Sequence, residues 1–409
     1  MLTINKAEQR VARMYRSAVD VNIADLQVLT GRISQLADYP LALAVEKNVL
    51  IYDCDALRPM LANPADRQAI MAEWADAMLT GPGVLVLKHA EPNHAMIDAA
   101  SDIFRTIIAD QNRTGTGGGD HFAKPGANDR IWNSLEKHCL ADPANFARYY
   151  ANPFLALISE AWLGPHSQMT AQLNVVNPGG AAQSPHRDYH LGFQTAADIA
   201  RYPLHVQRFS PMLTLQGAIA HVDAPMETGP TLLLPFSQLW DEGYLAMGRD
   251  DVKAHFAAHH VQLPLEKGDM LFFSPALLHA AGTNRSAEVK RMVNLFQVSS
   301  AYGRAMETVD RVRMCKALYS VLLQGDLTPD QISCTLAATA EGYAFPTNLD
   351  RDPPIGGMAP RTQKALMVEA LEGRWTVEDV AKALDLQMDK RALTRHRLQS
   401  AGRCGPHDG

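Results

Sequence analysis

The sequence predicts a double-stranded β-helix, a cupin-like jelly roll, mainly β in its core and buttressed by helices at both ends. Three observations predict it. From about residue 168 to 300, short alternating apolar segments are separated by Pro, Gly, Asn and Asp turns. On either side, apolar residues recur instead at helical spacing. Within the β-rich stretch, histidines and a carboxylate sit where strands of such a barrel would carry a metal.

Taken in order, residues 5–37 place Val11, Met14, Val19, Ile23, Leu26 and Leu29 at helical intervals. Asn63-Pro64 supplies an N-cap and a first-turn proline for a helix through Met78, stopped at Gly81-Pro82. Val84–Leu87 is a short apolar run between turns, hence a buried strand. A second capped helix starts at Asn93, with Met96, Ile97, Ala100, Ile103, Phe104 and Ile107 on one face.

The stretch Gly115–Asp120 lacks the Gly-Lys-Ser/Thr ending of a phosphate-binding loop. It reads either as a mobile loop near a site or as a plain surface loop. Strands are expected at Thr170–Val176, Leu213–His221, Thr231–Leu234, Met270–Phe273 and Met292–Ser299. Helical spacing returns beyond 304. A Pro/Gly-rich break at Pro353–Gly357 precedes a last helix opened by Thr376, whose side chain can cap it. The division follows: a helical segment over 1–80, the jelly roll over 81–303, and a helical segment over 304–409.

Bulk properties narrow the function. An apolar fraction of 47% over 409 residues allows a sizeable core. A formal charge of -6 argues against a chain that lives on nucleic acid or anionic membrane. Five scattered cysteines without a CxxC pair suit a reducing cytoplasm. The opening residues lack a signal-peptide h-region, and no apolar run is long enough to span a membrane. Basic residues near the C-terminus (Lys390, Arg391, Arg395, His396, Arg397) faintly suggest a DNA-reading helix. Acidic neighbours oppose that, and a solvated appendage or a subunit contact, as in a homo-oligomer, is the preferred reading.

The chemistry concentrates in Ser184-Pro185-His186-Arg187-Asp188-Tyr189-His190. On an extended strand, residues two apart share a face roughly 6.5–7 Å apart, so His186 and Asp188 converge on one ion. His190 shares that face but lies about 13 Å from His186 on an extended chain, too far without a sharp bend. It is read as a group beside the metal or as a histidine at a strand end. A facial triad of two histidines and one carboxylate needs a further histidine from a distant strand. Of His205, His221, His255, His259, His260 and His279, the last has the right context. It follows the turn Lys267-Gly268-Asp269 and the strand Met270–Phe273, and precedes the turn opened by Ala280-Ala281-Gly282. Histidines 255, 259 and 260 fall in a helical, exposed-looking stretch. His221 suits a hydrogen-bonded core position.

A co-substrate such as 2-oxoglutarate, chelating iron(II) at one end, would bury its far carboxylate, and arginine is the natural bidentate partner. Arg291 opens the strand after His279; Lys290 and Arg285 compete for the role. Gln172 and Asn174 alternate on Thr170–Val176 and share one face, either lining the pocket or facing solvent. Arg130–Asn133 either contacts substrate or serves packing of Trp132.

Three blocks resemble the phytanoyl-CoA dioxygenase family of iron(II)/2-oxoglutarate oxygenases: PHRDYH, HVDAPMETGPTLLLPFSQ, and GDMLFFSPALLHAAGTNRSAEVKRMVNLFQ. They span about 186 to 297, with weaker likeness back to Val84. The resemblance implies His186, Asp188 and His279 as iron ligands and Arg291 as the 2-oxoglutarate anchor. It places Gln216 on the wall of the co-substrate pocket. The reaction expected from this reading uses molecular oxygen and releases succinate and CO2, and a small molecule is the expected substrate because the sequence shows no clear basic cluster for an acyl-CoA. Asp188 argues for hydroxylation, because related halogenases replace that carboxylate with a small residue. The chain departs from the family at Thr228-Gly229 and Phe236-Ser237-Gln238, and in the spacing from His279 to Arg291. The alternatives are a cupin-like metalloenzyme that does not use 2-oxoglutarate, and a non-catalytic binding or regulatory protein on the same scaffold.

Overall fold

A computed structural model describes residues 5–116 and 126–391. Gly117–Asp120 of the glycine-rich stretch, Arg395, His396, Arg397 and Cys404 lie outside the described residues. Ten strands are present among the described residues: β1 (Ala44–Glu46), β2 (Val49–Asp53), β3 (Val84–Lys88), β4 (Asn128–Ile131), β5 (Gln168–Val176), β6 (Thr214–Ala220), β7 (Leu232–Leu233), β8 (Met270–Phe273), β9 (His279–Ala280) and β10 (Arg291–Ser299). Eight form one sheet in the order β1-β2-β3-β8-β6-β10-β5-β4. Facing it is a narrow layer in which His186 bridges to His279 of β9, β9 pairs with β7, and Leu233 of β7 bridges to Val261.

This is the double-stranded β-helix expected from the sequence: β5, β10, β6 and β8 make the broad wall, and four short segments make the opposite one. The strand register separates two faces. Leu85, Phe272, Gly217 and Phe296 lie in one cross-strand row, and Leu87, Met270, Ile219 and Asn294 in the next. Together with Met169, Ala171, Leu173 and Val175, the apolar members of this face join a large buried core against the helices. Because side chains alternate along a strand, the opposite face carries Phe273, Gln216, Ala218, Gln297, Leu295, Val293, Arg291, Gln172 and Asn174 toward the narrow layer.

The capped helices form where Asn63 and Asn93 predict them, over Pro64–Leu79 and His94–Thr114, each asparagine accepting from a first-turn amide. Three features differ from expectation. Residues 44–53, within the stretch expected to be helical, form β1 and β2. A two-residue turn at Lys47-Asn48, with φ of 51° and 69°, joins them, and β2 extends the sheet beside β3. Such a turn suits the right-handed twist of a hairpin, and Asn tolerates it better than most residues.

The last helix, Val377–Arg391, is no solvated appendage. Leu366, Met367, Ala370, Val380 and Leu384 belong to the main core, so the C-terminal helices help cover the back of the sheet. The third difference is His255, which is buried and lies 2.9 Å from Thr30 Oγ1, whereas His259 is exposed. None of the helices among the described residues is long and apolar enough to cross a membrane.

Candidate metal centre

His186, Asp188 and His279 each offer a ligand atom, and those atoms all lie within 4.8 Å of one another. His186 Nε2 is 3.7 Å from Asp188 Oδ1, and His279 Nε2 is 3.4 Å from Asp188 Oδ2. Backbone pairing brings the two histidines together: each donates its amide to the other's carbonyl, at 3.0 and 3.1 Å. Asp188 N then donates to Pro275 O at 3.0 Å, pinning the carboxylate residue to the approach of β9.

The ring protons are assigned by the neighbours. His186 Nδ1 lies 2.9 Å from Ser184 O, and His279 Nδ1 lies 2.9 Å from Leu277 O. A carbonyl can only accept, so both Nδ1 atoms carry the proton and both Nε2 atoms present a lone pair to the centre. Burial, more than the adjacent His279, lowers the His186 pKa and favours this neutral form. Burial alone would raise the Asp188 pKa. The adjoining His279 and His186 rings and the Gln216 amide outweigh it and hold the carboxyl well below its usual range. Two neutral imidazoles and one carboxylate form a donor set that fits a divalent iron.

The expected strand through His186 is not there. Only the single bridge at His186 is regular, and the chain turns sharply after Asp188, with Tyr189 and His190 at φ of 55° and 46°. The reason given for setting His190 aside, an extended chain, therefore fails. The bend itself carries His190 away, to 3.4 Å from Thr214 Oγ1 at the start of β6, and it is not among the grouped ligands.

Gln216 donates Nε2 to Asp188 Oδ2 at 2.5 Å, which fixes the amide's orientation. Gln172 donates to Glu307 Oε2 at 2.8 Å. Glu307, missed in the sequence because it lies beyond the last strand, also accepts from Asn133 N. Oxygens of Gln172, Asn174, Gln216 and Gln297 are buried without a hydrogen-bond partner. Arg291 is 5% exposed and donates Nη1 to Thr228 O at 3.1 Å. It makes no ion pair with any described acidic residue, and burial lowers its pKa to about 10, leaving it charged at neutral pH. Lys290 and Arg285 are exposed.

Other candidates separate from this centre. His221 is buried between Ser101 Oγ and Tyr149 Oη, as a core histidine. The Arg130 guanidinium stacks over Trp132 at 4.9 Å. Asp53, Asp55 and His89 also cluster, but His89 and Asp55 are exposed and Arg58 already lies 3.7 Å from Asp55. A groove of about 920 Å³ bounded by Glu136, Gln168, Glu307, Arg311 and Asp385 contains none of the three metal-ligand candidates.

The dioxygenase trt7 of Aspergillus terreus is 30% identical over 128 residues, 31% of this chain and 39% of that protein. The dioxygenase aneA of Aspergillus aculeatus is 27% identical over 167 residues, 39% of this chain and 51% of that protein. This chain thus spans about half or less of the length of the curated relatives it matches. Among solved structures, the non-heme alpha ketoglutarate dependent carbocyclase SnoK is 16% identical with a TM-score of 0.41, covering 56% of this chain and 83% of that one. The model of the phytanoyl-CoA dioxygenase family matches residues 65–292, more than half of the sequence and the whole of the metal centre. The chain belongs to the phytanoyl-CoA dioxygenase family, a family of iron(II)- and 2-oxoglutarate-dependent oxygenases.

Proposed function

We propose that this protein is an iron(II)- and 2-oxoglutarate-dependent dioxygenase that hydroxylates a small-molecule substrate, with release of succinate and CO2. One observation carries the reading. Three candidate ligand atoms lie within 4.8 Å of one another, while a buried arginine with no acidic partner among the described residues opens the strand that follows β9. A buried guanidinium is costly unless an anion answers it. A dicarboxylate co-substrate would do so.

In this reading His186, Asp188 and His279 hold the metal, and Gln216 aims the Asp188 carboxylate. Arg291 takes the far carboxylate of 2-oxoglutarate, and Gln172 and Asn174 stand on the same sheet face as that pocket. Iron(II) and 2-oxoglutarate, when bound, supply oxygen activation, with 2-oxoglutarate consumed by oxidative decarboxylation. The protein orients the reactants and keeps water out. The free cysteines Cys54, Cys139, Cys315 and Cys334 favour a cytoplasmic setting.

Anaerobic titration with iron(II) and 2-oxoglutarate tests the site. A weak visible charge-transfer band is expected, followed on aeration by succinate release that a substrate stimulates. An intact fold that gives no band and no succinate would sink the proposal.

A further inference from the structure

Arg187 stands between two candidate metal ligands, and its side chain runs to Ser237 and Tyr244 rather than to the candidate centre. It is 1% exposed, among the largest fully buried side chains of the protein. Its surroundings are an apolar cluster that includes Trp240, Tyr244 and Leu245, yet no described carboxylate lies within ion-pair distance of it. Burying a guanidinium in such a place opposes folding unless its contacts return the cost. A methionine or leucine would fill the volume without that cost. The question is what the charge and its fork of donors do there.

The contacts give an answer. Arg187 Nη2 donates to the carbonyl of Ser237, and the guanidinium lies 5.2 Å over the Tyr244 ring. Tyr244 in turn donates its hydroxyl to the backbone carbonyl of Asp188 at 3.0 Å. Ser237 Oγ accepts from Leu278 N at 2.8 Å, next to His279. The segment 237–244 is therefore tied to the backbone of both ligand-bearing segments. Gly243 completes the clamp, since a Cβ there would fall 2.0 Å from Arg187 Cζ.

The clamp is placed where regular structure is lacking. One isolated bridge and two amides, Arg187 N donating to Met247 Sδ and Asp188 N to Pro275 O, hold the backbone of 186–188, and the chain turns left-handed immediately afterwards. We propose that Arg187, with Ser237 and Tyr244, is a positioning device that fixes Asp188 relative to His279 and so sets the geometry of the metal centre. The proposal rests on His186, Asp188 and His279 being the ligands.

Anaerobic titration with iron(II), and with cobalt(II) as a spectroscopic probe, tests it on the full chain. Arg187→Met keeps the volume and removes the donors, so the fold should survive. Its iron(II) affinity should fall about tenfold or more, the range found when partners that orient ligands are removed. Its cobalt d–d spectrum should shift as well. Tyr244→Phe, which loses only the hydroxyl, should shift the spectrum the same way with a severalfold loss of affinity. Should Arg187→Met fail to fold, Tyr244→Phe decides. Folded variants with wild-type affinity and spectrum would overturn the clamp alone. A folded wild-type chain that binds neither metal would overturn the ligand assignment, and the clamp with it.

Discussion

Gln216 donates its amide to Asp188 Oδ2 across the gap between the broad sheet and the narrow layer that carries His186 and His279. The carboxylate thereby keeps one oxygen engaged while the other faces His186. Replacing Gln216 with Leu removes the donor and keeps most of the volume. Metal affinity is expected to drop about tenfold, the lower end for loss of a ligand's hydrogen-bond partner. Isothermal titration with iron(II) under nitrogen measures it; an unchanged affinity would mean that Asp188 needs no such partner.

Arg291→Met separates co-substrate binding from metal binding. The side chain is buried and answers no described carboxylate. Losing one partner of a buried charge pair costs about 2–5 kcal/mol, so 2-oxoglutarate should bind at least about 30-fold more weakly while iron binding is kept. Without 2-oxoglutarate the variant should melt no lower than wild type, because a buried unpaired cation has been removed. Thermal melts with and without 2-oxoglutarate read both effects. A variant that loses iron as well would argue that Arg291 acts on the fold rather than on the co-substrate.

How much of this was legible in the sequence follows from what each feature depends on. The helices capped by Asn63 and Asn93, and the strands Met270–Phe273 and Arg291–Ser299, are written in local periodicity and caps, and these appear where expected. His279 was reachable because a turn and a strand precede it. The bend after Asp188 was not, since left-handed Tyr189 and His190 defy local preference and are imposed by the packing around them. The hairpin β1–β2 was hidden because its turn uses Lys47-Asn48 rather than a glycine pair. Nothing in the local sequence marks Arg187. Only the tertiary placement of Ser237 and Tyr244 gives it partners.

Gly229 tests the link between a turn and Arg291, the proposed 2-oxoglutarate anchor. It sits at φ 69°, and a Cβ there would meet Thr283 O at 2.2 Å. The left-handed conformation alone costs a non-glycine residue about 1–2 kcal/mol, and the clash adds to it. Gly229→Ala should therefore lose more than about 2 kcal/mol of stability by urea unfolding. It should also weaken 2-oxoglutarate binding, because the preceding Thr228 carbonyl holds Arg291. Gly248→Ala, with nothing within 4 Å of the added carbon, is the control expected to change neither. Equal behaviour of the two variants would remove the argument.

Acid should destabilise the protein through two buried histidines behind the sheet. At His221 every proton can be placed. Ser101 Oγ donates to Ile97 O, so it accepts from His221 Nδ1. Nε2 must then accept from the Tyr149 hydroxyl, whose oxygen accepts from Asn294 Nδ2. Protonating Nε2 would set two donors face to face. His138 donates Nε2 to Asn145 Oδ1, and its buried Nδ1 has no partner for a second proton.

Burial is the chief cause that lowers both, His138 to about 4 and His221 to about 3; His138, Lys267 and Arg105 lower His221 further. In the unfolded chain both titrate near 6.5, so below that pH the unfolded state binds protons that the folded state refuses. The stability they contribute is complete above about pH 6.5 and is lost as pH falls toward 4 and 3, by a few kcal/mol in all. Urea unfolding at pH 7.5, 6 and 5 should show a falling midpoint. His221→Gln, which keeps one donor and one acceptor, should flatten that slope. A midpoint as steep in the variant as in the wild type would assign the acid sensitivity to other groups.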